Sequence, residues 1–447
     1  MIDPFDITRE FFAKQWERSN HYTLQIDKVT SSLSVHTVTG QEALNQPWQY
    51  EIIFTSNNKQ LTADTILTQK ARFTFQPQPT HLLSTQLSSL TQPTLPRTLH
   101  GVITEFSQLS VNKQQAQYKV ILAPRLALLG LHRYSAIYQH QSVIAVVEQI
   151  LRKHGFTGID YRLELRNTYP MREFITQWQE SDLEFIQRIL ADIGVWFCFE
   201  TDSKHGCEVM VISDGEQGYH HYGMIVYQQP SGTVDSHIES IWDLQQHSKT
   251  VPQSVRVQDY NYREAGNDML AEVNSQPDDN TTHGTQYLYD QHYKQKGDKQ
   301  TVETGAWYAE IRHQQYLSEQ ILITGKSNQF HLTPGQRIIP TQHPLSADLS
   351  DGLIILSTTG HGNRTDSYLI EFTAIPFNLL KPYRPPVLPM PKISGTLPAT
   401  ITSPDNDTYG YIDTQGRYRV KFNFDLSSWK NGEESLWLRL AKPYAGE

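Results

Sequence analysis

From Gly416 the chain alternates without a break: Tyr418, Val420, Phe422 and Phe424 fall on one side, and Arg417, Arg419, Lys421 and Asn423 on the other. A period of two is the geometry of a strand with one face in a core and one in water, whereas a helical period of 3.6 would scatter the same aromatics around its surface. Leu436, Leu438 and Leu440 repeat the pattern after a loop carrying Trp429 and Asn431-Gly432. Two such strands form part of a small β-barrel, and a barrel needs its closing strands because an open edge leaves backbone groups unpaired. The pattern predicts the start of a barrel that the 447 residues do not complete, so that the chain is a piece of a longer protein.

Upstream, short runs rich in β-branched and aromatic residues and bounded by turn formers read as strands at 48–54, 118–122, 195–199, 208–212, 353–357 and 368–373. Helices interrupt them. The first, near 143–154, places Val143, Val147, Ile150 and Leu151 on one side, gathers Arg152, Lys153 and His154 at its C-terminal dipole and stops at Gly155. The second, near 181–193, opens with Ser181-Asp-Leu-Glu184, a capping box, and carries the apolar stripe Leu183, Ile186, Leu190 and Ile193 before Gly194. A strand at 254–258 and a long exposed loop at 265–284 precede a third, amphipathic helix near 303–317. Six prolines in the eighteen residues 381–398 make an extended, stiff linker, because proline fixes φ and withholds a donor. The linker divides the chain into a region 1–385 and a terminal segment 386–447. The fold class expected is mainly β with helical insertions.

Composition narrows the function. No apolar run approaches the ~18 residues of a membrane span, and Met1 to Glu10 lack the basic and apolar regions of a signal peptide, which implies synthesis in the cytoplasm. The net charge of -9 argues against a nucleic-acid partner. Residues 387–447 balance seven Lys or Arg against seven Asp or Glu, unlike the basic groove of an oligonucleotide-binding barrel. Two cysteines exclude a disulfide scaffold. In a symmetric hairpin Cys198 would face a residue near Val209, out of register with Cys207, so both read as buried structural thiols.

A search for chemistry finds no GxSxG elbow, HExxH, P-loop or C-x-x-C pair. His220 and His221, beside Tyr219 and Tyr222, point to opposite faces of a strand and cannot easily share an ion. Asp278, Asp279 and His283 lie in a polar stretch that turn chemistry explains. Gly360-His-Gly362 joins two strand-like runs and reads as a hairpin. Glu180, Asp182 and Glu184 crowd a helix N-terminus, where cap and dipole account for them. The expectation is no enzyme, no catalytic residue, no cofactor and no metal.

Several segments, in order, carry a family resemblance: Leu99-His-Gly-Val-Ile-Thr-Glu-Phe106, Tyr118-Lys-Val-Ile-Leu-Ala-Pro124, Arg172 to Arg188 with its core Glu180-Ser-Asp-Leu-Glu-Phe-Ile-Gln-Arg188, Asp259-Tyr-Asn-Tyr262, Leu332-Thr-Pro-Gly335, Gly416 to Asp425 and Trp437 to Gly446. From about Tyr22 onward the chain resembles VgrG, the valine-glycine repeat spike family of type VI secretion. It departs from the family pattern at Phe424, where Trp is usual, at Leu436, where Cys is usual, and at Arg125-Leu-Ala in place of a Trp-containing run.

The resemblance implies a hub like that of contractile phage tails, with tandem β-barrel subdomains in 1–385 and the start of an OB-like neck in 386–447. It also implies a homotrimer that adapts the Hcp tube and baseplate to a cell-puncturing spike, with a PAAR-type tip protein and effectors as further partners and export through the type VI machine. Two other readings stay open: the hub of a prophage tail, and a β-rich carrier of an envelope-degrading enzyme.

Overall fold

The computed structural model describes residues 21–77, 95–228, 239–345, 349–364, 366, 368–404 and 411–441. The signal-peptide reading of Met1 to Glu10 and the end of the terminal motif, 442–446, lie outside the described residues.

Strands β1 (Tyr22–Ile26), β2 (Leu33–Ala43), β3 (Gln49–Ser56), β4 (Lys70–Phe75), β5 (Arg97–Val111) and β6 (Ala116–Ala123) pair in the order β1-β4-β5-β6-β3-β2. The sheet curls until β1 lies against β2. An insert follows: β7 (Arg133–Gln141), helix α1 (Val143–Lys153), β8 (Tyr161–Glu164), β9 (Arg172–Ser181), helix α2 (Asp182–Asp192), β10 (Trp196–Asp202) and β11 (Cys207–Ser213). Next come β12 (His220–Tyr227) and β13 (Ser240–Ser248), then β14 (Ser254–Gln258), β15 (Ala271–Val273) and β16 (Thr285–Tyr289), which form a small sheet beside helix α3 (Gly305–Ser318). Finally β17 (Ile321–Ser327), β18 (Gln336–Thr341), β19 (Leu353–Asn363) and β20 (Leu369–Pro376) join β12 and β13. Their order is β19-β18-β12-β13-β17-β20, and β20 pairs back onto β19, so this second six-stranded barrel is closed. The last pair is β21 (Ala399–Ile401) with β22 (Val420–Phe422).

The two barrels share one ladder. Along one edge β19 pairs with β18 at Leu353 and Ile354 and with β2 from Ser357 to Asn363, while its other edge pairs with β20. Gly360 stands opposite Gly40 in that ladder. A Cβ at Gly360 would strike the Tyr368 hydroxyl and ring edge, one at Gly40 would strike Tyr50, and one at Gly362 would strike the Tyr22 hydroxyl. Gly360-His-Gly362 is therefore mid-strand, and the hairpin reading is corrected: the glycines make room for tyrosines rather than a turn. Those rings join Phe73 and Phe75 in an aromatic core whose edge-on and tilted contacts suit the ring quadrupoles.

A separate core fills the insert, packing α1, α2 and α3 against the small sheets. Val143, Val147, Ile150 and Leu151 are all buried. The capping box at α2 forms as the sequence implies, with the Ser181 hydroxyl accepting from the Glu184 amide at 3.2 Å and Glu184 accepting from the Ser181 amide at 2.7 Å. Ile186, Leu190 and Ile193 are buried, but Leu183 is only partly so, and Phe185 and Ile189 complete the stripe. A third cluster, with Leu44, Trp196, Cys198, Val211, Tyr219, Ile354 and Ile375, seals the insert to the barrels.

Further sequence expectations are corrected. Cys198 faces Val211 rather than a residue near Val209, because the turn is the four-residue stretch 203–206 with Gly206 at φ 63°; both thiols are free, but only Cys198 is buried, and Cys207 at the end of the turn is partly exposed. Part of the 265–284 loop is strand β15, which extends the β14 ladder through Val255 and Val273. The strand expected from Gly416 is regular only at Val420–Phe422; before it, Arg417 folds back onto Asp413 at 2.6 Å, and after it Phe424 meets Trp178 of the insert edge-on at 5.0 Å.

Barrel and insert also meet through Glu208, whose carboxylate accepts from the His100 amide at 2.8 Å and the Thr201 hydroxyl at 3.1 Å. Burial pushes its pKa from 4.5 to about 8, and those hydrogen bonds offset only part of the rise. In the unfolded chain this carboxyl ionises near its ordinary value, so its contribution to stability is complete below pH 4.5 and is lost as pH rises to about 8. Glu208→Gln removes this titration, and we expect its melting temperature to fall less than that of the parent between those two pH values.

The α2 stripe generates a second expectation. Ile186→Ala should cost about 2–5 kcal/mol through lost transfer energy plus a cavity, and Ser181→Ala about 0.5–2 kcal/mol, the range for an N-cap. Denaturant melts of both variants check the order; an Ile186→Ala protein as stable as its parent would contradict the core assignment.

Candidate functional site

Several buried charges among the described residues join one element to another. In the first barrel Arg97 grips Glu42 with two bonds of 2.8 and 2.9 Å, and its other terminal nitrogen donates to the Phe330 carbonyl of the second barrel at 2.8 Å. Tyr50 donates to the same Glu42 at 2.5 Å. Burial works against the Arg97 charge, yet Glu42 outweighs it and holds the guanidinium firmly protonated. In the insert Arg172 bonds Glu303 at 2.8 Å, Asp192 at 2.9 Å and the Tyr308 hydroxyl at 2.8 Å, and Arg312 reaches Asp192 at 2.9 Å. Strand β9 and helices α2 and α3 are thereby tied at one point. Burial would raise the Asp192 pKa, but Arg172 and Arg312 hold it below the usual range.

The proline-rich linker begins docked, not free. Arg384 donates to the Gly194 carbonyl at 3.0 Å, the Asp214 carbonyl at 2.8 Å and Gln314 at 2.9 Å, and Asn45 donates to the Tyr383 hydroxyl at 2.8 Å. Beyond the linker the terminal segment rests on the insert: Gln139 donates to the Glu433 carbonyl at 3.0 Å, and the Arg439 guanidinium lies 4.1 Å from the Tyr262 ring centre. The 259–262 block is thus a seat for the terminal segment.

The residues singled out for chemistry are scattered. His220 bonds Glu200, which Arg162 also grips at 2.8 and 3.0 Å, while His221 is exposed. Asp279 accepts from the Thr281 amide at 2.9 Å and pairs with Lys381 at 3.0 Å; the Thr281 hydroxyl bond, opposed by partial burial, brings its pKa down to about 2. His283 uses its amide on the Val251 carbonyl. None of these groups converges with Asp278 on a shared centre. Glu180 is buried against Arg188 at 2.6 and 2.9 Å, so helix capping does not account for it.

Asp182 is the informative exception. It is 0% exposed, and two histidines that the sequence did not mark as ligands face it. His132 Nδ1 lies 2.9 Å and His154 Nε2 2.7 Å from its Oδ2. Only the facing of three elements reveals this group, since 22 and 28 residues separate its members along the chain. A second group, Asp259, Asp290 and His292, is largely exposed, and Asp259 already caps the Tyr260 and Tyr293 amides.

A family model described as "Phage tail baseplate hub (GPD)" matches residues 41–366. The chain is 28% identical to the type VI secretion system spike protein VgrG4b of Pseudomonas aeruginosa, over 95% of its own length and 52% of that protein. It is 24% identical to the actin cross-linking toxin VgrG1 of Vibrio cholerae, over 95% of its length and 38% of the toxin. The chain spans about half the length of the curated spike proteins it matches. The solved structure of the E. coli c3393 protein, described as a type VI secretion component similar to the T4 bacteriophage tail proteins gp27 and gp5, superposes with a TM-score of 0.68 and 34% identity over 93% of this chain and 92% of that one. A family model spanning most of the chain, together with this closely covering relative and the barrel-on-barrel architecture, shows that the chain belongs to the phage tail baseplate hub family and, within it, to the VgrG spike proteins of type VI secretion.

Proposed function

We propose that residues 1–385 form the hub, and residues 386–447 the linker and first part of the neck, of a homotrimeric spike seated on the Hcp tube. The observation that carries this reading is the pair of six-stranded barrels joined edge to edge within one chain. Three chains around a threefold axis present six barrels, the number a sixfold tube needs, while the neck keeps the threefold symmetry of a spike. The baseplate, a PAAR-type tip protein and effectors are the further partners proposed, with delivery out of the producing cell by the type VI machine. Among the described residues no helix is long and apolar enough to cross a membrane.

The work in this reading comes from outside the chain, so it requires stiffness rather than catalysis. The buried ion pairs and the docked linker supply stiffness. Multi-angle light scattering at micromolar concentration should report three chains; a stable dimer would count against the hub assembly. We further expect the chain to release no soluble product from peptidoglycan, with or without added divalent metal. Turnover lost on Asp279→Ala or His283→Ala would overturn the non-enzymatic reading.

A further inference from the structure

Three elements of the insert end at one point. His132 follows the 3-10 turn Arg125–Leu131, His154 caps the C-terminus of α1, and Asp182 is the first residue of α2. The Asp182 amide donates to the His132 carbonyl at 2.9 Å, which holds the first and third in place. The two imidazole rings stand edge to face with centres 5.1 Å apart. Their facing nitrogens and the Asp182 carboxylate oxygen all lie within 4.8 Å of one another. On the far side, Gln177, itself 0% exposed, donates its Nε2 to Asp182 Oδ1 at 2.8 Å and to the Glu180 carbonyl at 3.2 Å. The carboxylate is thereby held with its second oxygen aimed between the two rings.

We propose that His132 Nδ1, His154 Nε2 and Asp182 Oδ2 bind a divalent transition metal of the zinc class. Two imidazole nitrogens with one carboxylate oxygen favour zinc and its neighbours over magnesium or calcium, which prefer all-oxygen shells. A tetrahedral ion bonded at ~2.0–2.1 Å holds its ligand atoms ~3.3 Å apart. A bound ion would require the present separations of 2.9 and 2.7 Å to open to that value. Gln177 plays the part of the outer hydrogen-bond partner that orients a ligating carboxylate. His132 is 46% exposed, which leaves a fourth position open to water and a path for the ion. The neighbouring Lys153 ammonium sits over the Tyr134 ring, 4.0 Å from its centre, and that ring packs edge-on against His132 with centres 5.1 Å apart. A bound ion would staple the 3-10 turn, α1 and α2 together beside the capping box.

The test uses the chain without a polyhistidine tag, stripped with chelator and titrated with zinc chloride by calorimetry. One equivalent should bind at micromolar concentration, and His132→Ala and His154→Ala should each weaken binding at least ~10-fold. Because His132 is half exposed, its replacement opens no core, and circular dichroism of each variant checks the fold. X-ray absorption of the zinc-loaded unmodified chain provides a reading that needs no variant, with two imidazole nitrogens expected in the inner shell. No saturable zinc binding, binding that persists in either histidine variant, or an inner shell of oxygen or sulfur alone would overturn the proposal.

Discussion

The antiparallel ladder between β2 and β19 is the interaction on which the rest of the molecule depends. Without it the chain would hold two separate six-stranded units; with it, one twelve-stranded sheet runs from β1 to β20. Backbone ladders resist shear well because many parallel hydrogen bonds must break together. Side chains at the junction would normally keep two aromatic-filled barrels apart. Gly40 opposite Gly360 solves this, since neither position carries a Cβ and the rings of Tyr50 and Tyr368 lie directly over the backbone. Strand entropy is sacrificed at both glycines, and ring packing offsets it.

Charge secures what the ladder begins. Arg97 reads both barrels at once, through Glu42 on one and the Phe330 carbonyl on the other. Buried pairs of this kind add little net stability, because desolvation consumes most of the attraction, but breaking one leaves a stranded charge that costs about 3–5 kcal/mol. Their value is geometric: each admits one arrangement of its partners. The Arg172, Asp192, Arg312 and Glu303 group does the same for β9, α2 and α3. Such single-valued contacts stiffen a junction more than adaptable apolar packing does.

The terminal segment shows how local pattern and tertiary context divide the work. Val420 is buried and Lys421 and Asn423 are exposed, as the alternation requires. Yet Phe424 packs on Trp178, so part of the patterned face is spent on the insert rather than on a barrel interior. Alternation states that a face is covered; it carries no information on what covers it.

By itself the sequence determined the elements with strong local causes. The capping box of α2, the glycine stops at Gly155 and Gly194, and the β-branched strands such as 118–122 and 353–357 follow from short-range hydrogen bonding, positive φ and a period of two. The family too was legible, because its motifs are contiguous stretches of chain, as in Arg172 to Arg188 across β9 and the first part of α2. Only the tertiary structure decided that Gly360 and Gly362 sit mid-strand, that Phe185 and Ile189 rather than Leu183 finish the α2 stripe, and that β2 pairs with a strand more than 300 residues away. The His132, His154 and Asp182 group belongs to the same category. Each of its members has an adequate local explanation at a turn, a helix end or a helix start, and nothing short-range encodes that three such ends meet at one carboxylate oxygen.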